Sequence, residues 1–563
     1  MVRVLFIAFM LVTVSMSSAQ VKISLYFVEK NPLLTNSVED LQSALEKSLG
    51  YCPLIESTDT LNQIVIETSS SEVRQSELLR LGKDGFIIRT IKGNRLIITG
   101  NTDIGTEFGV YYFLEKYLGV KWLFPGENWE NIPTNHSFRI PSCNDVVIPD
   151  FKTRWLAPIN TNQKNDIGLW GRHLKLIKDV EYNHNLFKIF EGTEEFLPIV
   201  KGKKIRPKSN TDQTWQPNFA AEGASWFSHN YLKRYFKDNP TVSSFSLSIN
   251  DSQVFDDAIT SNIVNHQGLK DYSDQYYTWV KQTVDETNRF FPGKTYGVLA
   301  YNNVITPPRF RLPNNVVPFI TFERLRWVDP VLRHKDMEIS KKWASKVKEV
   351  GWYDYTYGLN YIVPRPYFTV MGEYLKYGYK NNVLHYTTEL YTNVLEGPKA
   401  WIMSQLLWDT TLSPERLLDD WCTGAVGKEA SSDLKAFYKL WEAFWNNKVV
   451  DSKWWELGGT AYLHFNNLSY INHISVDDMN KADELLANTL LKVKTDIQRF
   501  RIEEIINVWE LSKMNYVYFT KSNLKTLSSQ AVTKNAIMKK LEEVGGNPLN
   551  GSLVHYSKRF NKY

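Results

Sequence analysis

The chain has 563 residues, of which 43% are hydrophobic, 23% charged and 14% aromatic. This composition supplies apolar surface for several buried cores, so it excludes an intrinsically disordered, collagen-like or disulfide-framework protein. The 66 Lys and Arg nearly balance the 61 Asp and Glu, which leaves a formal charge of +5 and no reason to expect a nucleic-acid partner. All 18 Trp lie at or after Trp122, and we take this uneven distribution as a first indication of where a functional site lies.

The N-terminus has the pattern of a cleavable signal peptide. Arg3 supplies a positive charge, residues 4–14 are almost entirely apolar, and residues 17–19 form a small-residue cleavage site. We therefore expect residues 1–19 to be removed and the mature protein to be periplasmic or secreted. No Cys lies at the cleavage point, so no lipid anchor is expected. No later segment reaches the roughly 20 apolar residues of a membrane-spanning helix, so we expect a soluble mature protein with no membrane insertion.

Motifs of several other chemistries are absent from the sequence. It contains no H-E-x-x-H, G-x-S-x-G or G-x-G-x-x-G motif. Its three cysteines include no C-x-x-C pair, so neither a disulfide framework nor a zinc site is supported, although a Cys52–Cys143 bridge could form after export. We therefore expect no metal and no organic cofactor.

Residues 20–145 have the pattern of an α/β sandwich-like domain, a sheet covered by helices. Strand candidates are spread along it, at residues 22–28, 63–68, 86–90 and 95–99. Residues 92–94 between the last two are a hairpin signal. Apolar residues at helical spacing predict one helix around residues 41–49, and an aromatic-rich helix is predicted at 105–118. No catalytic constellation is evident in this domain.

In residues 150–412 strand and helix candidates alternate, as a (β/α)8 TIM barrel requires. Six apolar strand candidates are evident, at residues 153–157, 242–249, 295–301, 316–322, 351–355 and 383–388. The two missing strands are expected in the poorly periodic region 174–220. Apolar spacings of three and four residues predict that residues 413–563 form a C-terminal helical domain.

Carboxylates follow several of the predicted barrel strands. Active sites of such barrels lie at the C-terminal ends of the strands, which here carry Asp251, Glu323, Asp354 and Glu389. Glycoside hydrolysis needs two carboxyl groups, one to protonate the leaving oxygen and one to activate water or attack the sugar. Glu389 is the first choice, because its strand ends in polar and aromatic residues. Two structural roles compete with this interpretation: an Asp at a strand end can cap a turn, and the Arg-rich sequence after Glu323 favours a structural ion pair.

Sugar sites combine aromatic platforms with hydrogen-bonding side chains, and the barrel region is rich in both. Twelve of the 18 Trp lie between Trp122 and Trp408. The predicted substrate-binding residues are Arg154, Arg172, His173, His184, Trp215, Trp226, Asn250 and Tyr391. The two arginines could bind a substrate carboxylate or sulfate. The competing interpretation is that most Trp are core residues and that the arginines pair with barrel carboxylates.

A basic run at residues 201–208 is most simply interpreted as a solvated loop. Contact with nucleic acid or an acidic glycan is the less favoured alternative for this run.

Two stretches resemble known families. The sequence from Ile98-Thr99-Gly100-Asn101 through residues 105–115 to 119–126 is similar to the end of the N-terminal domain shared by family 67 α-glucuronidases and family 20 hexosaminidases. The barrel resembles an uncharacterised domain-of-unknown-function family of exported Bacteroidetes proteins. The motifs that carry this resemblance include residues 170–173, 184–187, 248–251, 364–365, 388–391, 397–401 and 406–409. The resemblance implies a glycoside-hydrolase-like barrel, with Asp251 and Glu389 at motif positions that could serve as acid and base.

The sequence therefore predicts an exported glycoside hydrolase that acts on a polysaccharide or oligosaccharide by a two-carboxylate mechanism. Asp251 and Glu389 form the predicted pair, with Glu323 and Asp354 in reserve. An anionic, uronic-acid sugar is a candidate substrate, and a carbohydrate is the expected partner. The alternative is a non-catalytic glycan-binding or scaffold protein on the same barrel. A lyase or esterase is a third hypothesis, which the missing nucleophile motif disfavours.

Overall fold

The structure is a computed structural model that describes residues 22–27, 32–56, 58, 60–356, 361–459, 461–464, 467–550 and 553. The chain divides into two compact units, Met1–Gly119 with Ile132–Ile148, and Val120–Asn131 with Pro149–Tyr563. The predicted signal peptide, residues 1–19, lies outside the described residues. None of the helices in the described part of the chain is long and apolar enough to cross a membrane.

Strands and helices are numbered here in chain order. The strands are β1 (Ser24–Phe27), β2 (Ile55–Glu56), β3 (Gln63–Ile66), β4 (Phe86–Ile91), β5 (Arg95–Gly100), β6 (Lys121–Trp122), β7 (Glu130–Asn131), β8 (Asn144–Val147), β9 (Thr153–Ala157), β10 (Ile199–Val200), β11 (Lys203–Lys204), β12 (Ser244–Ser246), β13 (Thr295–Ala300), β14 (Val316–Thr321), β15 (Val350–Tyr355) and β16 (Val383–Glu389). The helices are α1 (Pro32–Leu49), α2 (Gln75–Arg80), α3 (Asp103–Phe113), α4 (Asp166–His173), α5 (Leu186–Ile189), α6 (Ala224–Asp238), α7 (Ser273–Asn288), α8 (Pro330–Ala344), α9 (Phe368–Lys380), α10 (Gly397–Trp408), α11 (Pro414–Val426), α12 (Ser431–Ala443), α13 (Lys453–Leu457), α14 (Val476–Lys492), α15 (Asp496–Thr520) and α16 (Lys534–Gly545).

The first unit is a mixed sheet in the order β2–β1–β3–β5–β4–β8, packed against helices α1 and α3. Strands β2, β1, β3 and β5 are parallel, whereas β4 runs antiparallel to both β5 and β8. All four residues of β3 are buried, because the strand lies inside the sheet. The Tyr111 phenol on α3 donates a hydrogen bond to Asp40 on α1 at 3.0 Å. This unit confirms the predicted α/β class, and its Cys52 and Cys143 are free thiols rather than a disulfide.

The second unit contains a parallel sheet in the order β12–β13–β14–β15–β16–β9, curled into a half-barrel. These are the six predicted strands, each within a few residues of its predicted bounds. Helices α6 to α10 precede, separate or follow these strands, except that only a short 3-10 turn, Asn302–Val304, lies between β13 and β14. The barrel class is therefore confirmed, with six strands in this sheet among the described residues instead of eight.

At the β12 edge of this sheet, serine side chains make hydrogen bonds to the neighbouring segment in place of some of the backbone bonds that a paired strand would make. Residues 180–184 lie beside β12 and make one isolated parallel bridge, between His184 and Ser248. The Ser244 hydroxyl accepts a hydrogen bond from the Glu181 amide at 2.7 Å, and the Ser248 hydroxyl donates to the carbonyl of Tyr182 at 2.7 Å. Because these hydroxyls bind the backbone, the segment stays beside the sheet without forming a regular strand.

The residues after α10 are helical, as predicted, and bury large aromatic side chains. Trp421, Trp441, Trp445 and Trp509 are fully enclosed among helices α11 to α15. The Trp421 indole donates a hydrogen bond to the carbonyl of Leu123 at 2.9 Å. Capping boxes at Ser475 and Thr495 start α14 and α15, so local sequence signals define these two helices.

Candidate active site

A cluster of tyrosines and two carboxylates lies after β12 and β13 and at the carboxyl ends of β15 and β16, and Tyr462 joins it from the segment after α13. We call this group the mouth, and its residues are Asp251, Tyr301, Tyr353, Tyr355, Glu389 and Tyr462. Parallel strands end at the same edge of a sheet, and the register pairs Tyr355 with Glu389 and Glu389 with Ala157. Residues two apart on a strand share one face, so Tyr353 and Tyr355 point the same way.

The floor of the mouth is the apolar interior of the half-barrel. Val180, Tyr182, Leu299, Val317 and Phe319 form one buried cluster there, against which Trp155, Tyr301 and Tyr353 pack. Tyr301 contacts Asp251, and Tyr353 contacts Glu389. The shared floor therefore brings the two predicted catalytic residues to one end of the barrel, although they are 138 positions apart in the sequence.

Glu389 is the last residue of β16 and is half-buried. Its Oε1 accepts a hydrogen bond from the Tyr353 phenol at 2.9 Å. Its own carbonyl accepts one from the Thr356 amide at 3.0 Å, and the Leu390 amide donates to Ala157 at 2.7 Å. Backbone bonds to both neighbouring strands thus hold the position of this carboxylate.

Asp251 is exposed, and its Oδ1 accepts a hydrogen bond from the Tyr301 phenol at 3.1 Å. The preceding residue, Asn250, is buried and predicted here as substrate-binding. Its Oδ1 accepts from the Phe187 amide at 2.9 Å and its Nδ2 donates to the carbonyl of Trp215 at 2.8 Å. Asn250 therefore anchors the loop, and Asp251 is the residue that this loop presents to solvent.

The tyrosines of the mouth form a connected group. The rings of Tyr353 and Tyr355 have centroids 5.3 Å apart, and those of Tyr355 and Tyr462 are edge-to-face at 5.2 Å. Burial raises the pKa of Tyr353, and the nearby charge of Glu389 raises it further. Burial likewise raises the pKa of Tyr301, with smaller contributions from Tyr462 and Asp251. Both phenols therefore stay protonated at neutral pH and act as hydrogen-bond donors to the carboxylates.

His184 is the predicted binding residue that lies beside the mouth. Its ring centroid is 5.7 Å from that of Tyr301, and its Nδ1 lies 2.5 Å from the carbonyl oxygen of Ile249. A carbonyl can only accept, so Nδ1 carries a proton. In the neutral ring Nε2 is then an acceptor, which suits a sugar hydroxyl.

Glu323 is enclosed beneath the mouth. Its side chain pairs with the fully buried guanidinium of Arg365, and its Oε2 accepts a hydrogen bond from the Leu463 amide at 2.7 Å. Glu323 therefore forms a structural ion pair, which was the competing expectation. Its partner is Arg365 and not one of the arginines that follow it in the sequence. Neighbouring Arg324 pairs instead with Asp336, at 3.1 Å.

Asp354 is also enclosed, with no exposed surface. Its Oδ1 accepts a hydrogen bond from the Arg324 amide at 2.8 Å, and its Oδ2 accepts one from the Tyr386 phenol at 2.8 Å. The carboxylate thus caps the turn after β14, which was the competing interpretation for a strand-end Asp. Neither reserve carboxylate faces the open end of the barrel.

Three of the predicted binding residues are core residues of the second unit. Arg154 is 1% exposed, and its guanidinium donates to the carbonyls of Lys175 and Phe151. His173 stacks on Trp122 with centroids 4.3 Å apart. Trp215 is buried, with its indole N–H bonded to the carbonyl of Asp212 at 2.9 Å.

Two other predicted binding residues lie on helices outside the mouth. Trp226 is 58% exposed on α6 and packs on His229, with centroids 5.2 Å apart. Arg172 is half-buried in α4, and its Nε has no hydrogen-bond acceptor among the described residues.

Tyr391 follows Glu389 by two residues and lines a small neighbouring cavity. Its φ of +53° turns the chain sharply after the strand. Lys399 also lines this cavity; it pairs with Glu396 and donates to the carbonyl of Thr356 at 3.0 Å. Burial lowers the pKa of Lys399 to about 8. The cavity therefore has a buried cation in its wall.

The basic run lies on an exposed hairpin formed by β10 and β11. Arg206 and Glu194 form an ion pair at 2.9 Å, so one of its charges is neutralised locally. This geometry agrees with the interpretation of the run as a solvated loop.

Sequence reasoning missed the tyrosines of the mouth. Tyr301, Tyr353 and Tyr355 lie at strand ends, but the sequence prediction considered only the carboxylates at those ends. A search for every polar side chain at those ends would have found these three. Tyr462 lies between α13 and α14, more than 70 positions after the last strand in the sequence. No local pattern in the sequence indicates that it belongs to the site.

The curled parallel sheet and the acidic mouth at its carboxyl end define a glycoside-hydrolase-like barrel protein. The family described as "Domain of unknown function (DUF4838)" matches residues 124–439, and the chain belongs to this family. A second family, "Glycosyl hydrolase family 67 N-terminus", matches residues 13–113. Both resemblances drawn from the sequence are thereby confirmed. No curated protein matches the chain.

Solved structures of glycoside hydrolases are similar to the chain. A family GH115 4-O-methyl-alpha-glucuronidase with specificity for decorated arabinogalactans is similar with a TM-score of 0.58 and 12% identity, over 95% of this chain and 78% of that one. A family 89 glycoside hydrolase from Clostridium perfringens has a TM-score of 0.48 and 9% identity, over 91% of this chain and 65% of that one. The first of these similarities supports the barrel architecture and, at this identity, nothing finer.

Proposed function

We propose that the protein is a glycoside hydrolase with Glu389 and Asp251 as its carboxylate pair. One observation carries the proposal: each carboxylate accepts a hydrogen bond from a tyrosine, at 2.9 Å and 3.1 Å, and both tyrosines pack on the same barrel floor. Most glycoside hydrolases cleave the glycosidic bond with two carboxyl groups at one site. Glu323 and Asp354 are left out of the mechanism because their oxygens are enclosed and bonded to the protein.

In the proposed reaction one of the two carboxyl groups protonates the glycosidic oxygen as the bond to the anomeric carbon breaks. The other either deprotonates the attacking water or attacks the anomeric carbon itself. In the second case a glycosyl–enzyme ester forms, and the first group, now a carboxylate, deprotonates the water that hydrolyses this ester and frees the sugar. Tyr353 and Tyr301 orient the two groups through the hydrogen bonds described above. His184 Nε2 accepts a bond from a sugar hydroxyl. This mechanism requires no metal and no organic cofactor.

An anionic sugar is the substrate class to test first. The chain has a family 67 type N-terminal region, and a structurally similar enzyme is an α-glucuronidase specific for decorated arabinogalactans. Of the two predicted arginines, Arg154 is buried and bonded to backbone carbonyls, so the half-buried Arg172 is the one to test for binding a substrate carboxylate. Export to the periplasm or beyond would give the protein access to polysaccharides, and a mature N-terminus at Gln20 would demonstrate it.

The test is to incubate the protein with a panel of glucuronate-decorated and neutral plant, algal and host glycans and to analyse the products. New reducing ends support hydrolysis. Unsaturated products would indicate a lyase, and binding without products would support the scaffold alternative. Glu389→Gln and Asp251→Asn should each abolish turnover while the fold is kept, and full activity in Glu389→Gln would remove this residue from the mechanism.

A matched control is Glu373→Gln, which alters an exposed carboxylate on α9 paired with Arg333. We expect it to retain wild-type turnover. The anomeric configuration of the first product, followed by NMR, then distinguishes the two mechanisms. Retention implies carboxyl groups about 5 to 5.5 Å apart, and inversion implies about 6.5 to 9.5 Å.

A further inference from the structure

A segment from outside the strands is held against the mouth by buried charges. We call residues 458, 459 and 461–463 the closing segment; it follows α13. Arg326, which is buried after β14, donates from Nη1 to the carbonyl of Gly458 at 2.9 Å and to that of Tyr462 at 2.7 Å. Its Nη2 donates to the carbonyl of Gly459. One guanidinium therefore fixes three carbonyls of the closing segment.

Glu323 holds the closing segment from the other side. Its amide donates to the carbonyl of Ala461 at 3.0 Å, and its Oε2 accepts from the Leu463 amide at 2.7 Å. Arg365 compensates the charge of Glu323. Burying ions is unfavourable unless they are paired and hydrogen-bonded. The closing segment supplies hydrogen-bond partners for two of these buried ions, Arg326 and Glu323, and they in turn fix its position.

The residue between these anchors is Tyr462, and its side chain enters the mouth. Its phenol oxygen is 2.9 Å from Thr321 Oγ1 at the end of β14. Its ring lies edge-to-face with Tyr355, at 86°. The charge of Asp251 is close enough to contribute to the raised pKa of Tyr462, which burial brings to about 12. The phenol is therefore a protonated donor beside one of the two proposed carboxylates.

We infer that Tyr462 is a substrate-binding residue and that the closing segment completes the mouth by holding it over the carboxylates. This inference rests on the proposed function. An aromatic ring and a fixed hydroxyl suit a sugar, whose C–H face packs on the ring while one hydroxyl bonds to the phenol. Tyr462 acts on binding and orientation, and the proton transfers belong to Glu389 and Asp251.

The experiment compares Tyr462→Ala and Tyr462→Phe with wild type on whichever glycan the wild type hydrolyses. Tyr462→Ala should raise KM at least tenfold and lower kcat/KM by at least that factor. Tyr462→Phe, which keeps the ring, should change KM by a smaller factor. The matched control is Tyr516→Phe, because this buried phenol also donates a single bond, to the carbonyl of Ile474 at 3.2 Å. We expect wild-type constants in the control.

The outcomes separate this inference from the proposed function. If the wild type is active and both Tyr462 variants retain its KM and kcat, the inference is overturned and the proposed function stands. If the wild type hydrolyses nothing, the proposed function fails, and glycan binding measured by tryptophan fluorescence decides the inference. Unchanged affinity in Tyr462→Ala, or no binding by the wild type, overturns it, and a tenfold loss supports it. Should Tyr462→Ala unfold, Tyr462→Phe decides the inference: a higher KM than wild type, or a weaker affinity for the glycan, supports it, and unchanged values overturn it.

Discussion

Replacing Glu323 by Gln should destabilise the second unit strongly, because Glu323 balances a buried charge. The carboxylate is 2% exposed and Arg365 has no exposed surface, so the variant leaves a buried guanidinium without its ionic partner. Removing one partner of a buried ion pair costs about 3–5 kcal/mol. The Leu463 amide also loses a charged acceptor, which weakens the hold on the closing segment.

Urea unfolding followed by tryptophan fluorescence measures this loss. With a denaturant dependence of about 3 kcal/mol per molar urea or more, the midpoint should fall by about 1 M. Glu373→Gln is the matched control, because its ion pair is exposed and worth at most about 1 kcal/mol. A wild-type midpoint in Glu323→Gln would refute the structural role. A wild-type midpoint combined with complete loss of turnover would return Glu323 to the list of catalytic candidates.

Three further predictions concern residues outside the mouth. Hydrogen bonding from His385 lowers the pKa of Glu349 to about 2, so this carboxylate stabilises the fold fully above its ordinary pKa of 4.5 and loses that effect as the pH falls towards 2. Urea midpoints of wild type and Glu349→Gln should therefore converge as the pH falls from about 6 to about 2.5, and a constant difference would contradict this reasoning. Trp226→Ala should leave kcat/KM unchanged and alter stability by less than about 1 kcal/mol, because the side chain is mostly exposed; a tenfold loss of kcat/KM would place Trp226 in the substrate path. Arg172→Met should raise KM for uronic-acid substrates and leave neutral ones unaffected, and equal effects on both classes would exclude a role in charge recognition.

The strands of the barrel could be predicted because burial on both faces gives them short apolar runs. The predicted run at 153–157 coincides with β9, and 295–301 overlaps all of β13. The region expected to hold the two missing strands could not be resolved by that signal, because serine hydroxyls replace much of the backbone ladder. The alternating Ser244, Ser246 and Ser248 are visible in the sequence, but their bonds to residues 181–183 depend on the fold.

The four strand-end carboxylates could not be sorted from the sequence. Glu323 differs from Glu389 because Arg365 and Leu463, which lie 42 and 140 residues away, enclose it. Partners so far apart in the sequence produce no local sequence pattern that could predict the pairing. Most of the Trp pack in cores, and the aromatic residues of the mouth are Tyr rather than Trp.

The closing segment lies outside the residues that match the family. The matched region, residues 124–439, contains Asp251 and Glu389, whereas Tyr462 lies beyond it. If Tyr462 binds substrate as inferred, the protein takes its carboxylate pair from the matched region and one of its sugar-binding residues from the sequence after it. Evolution can then alter which glycan is accepted by changing residues after 439 while the strands stay as they are. Chimeras that exchange this region between family members would follow the same route to new specificities.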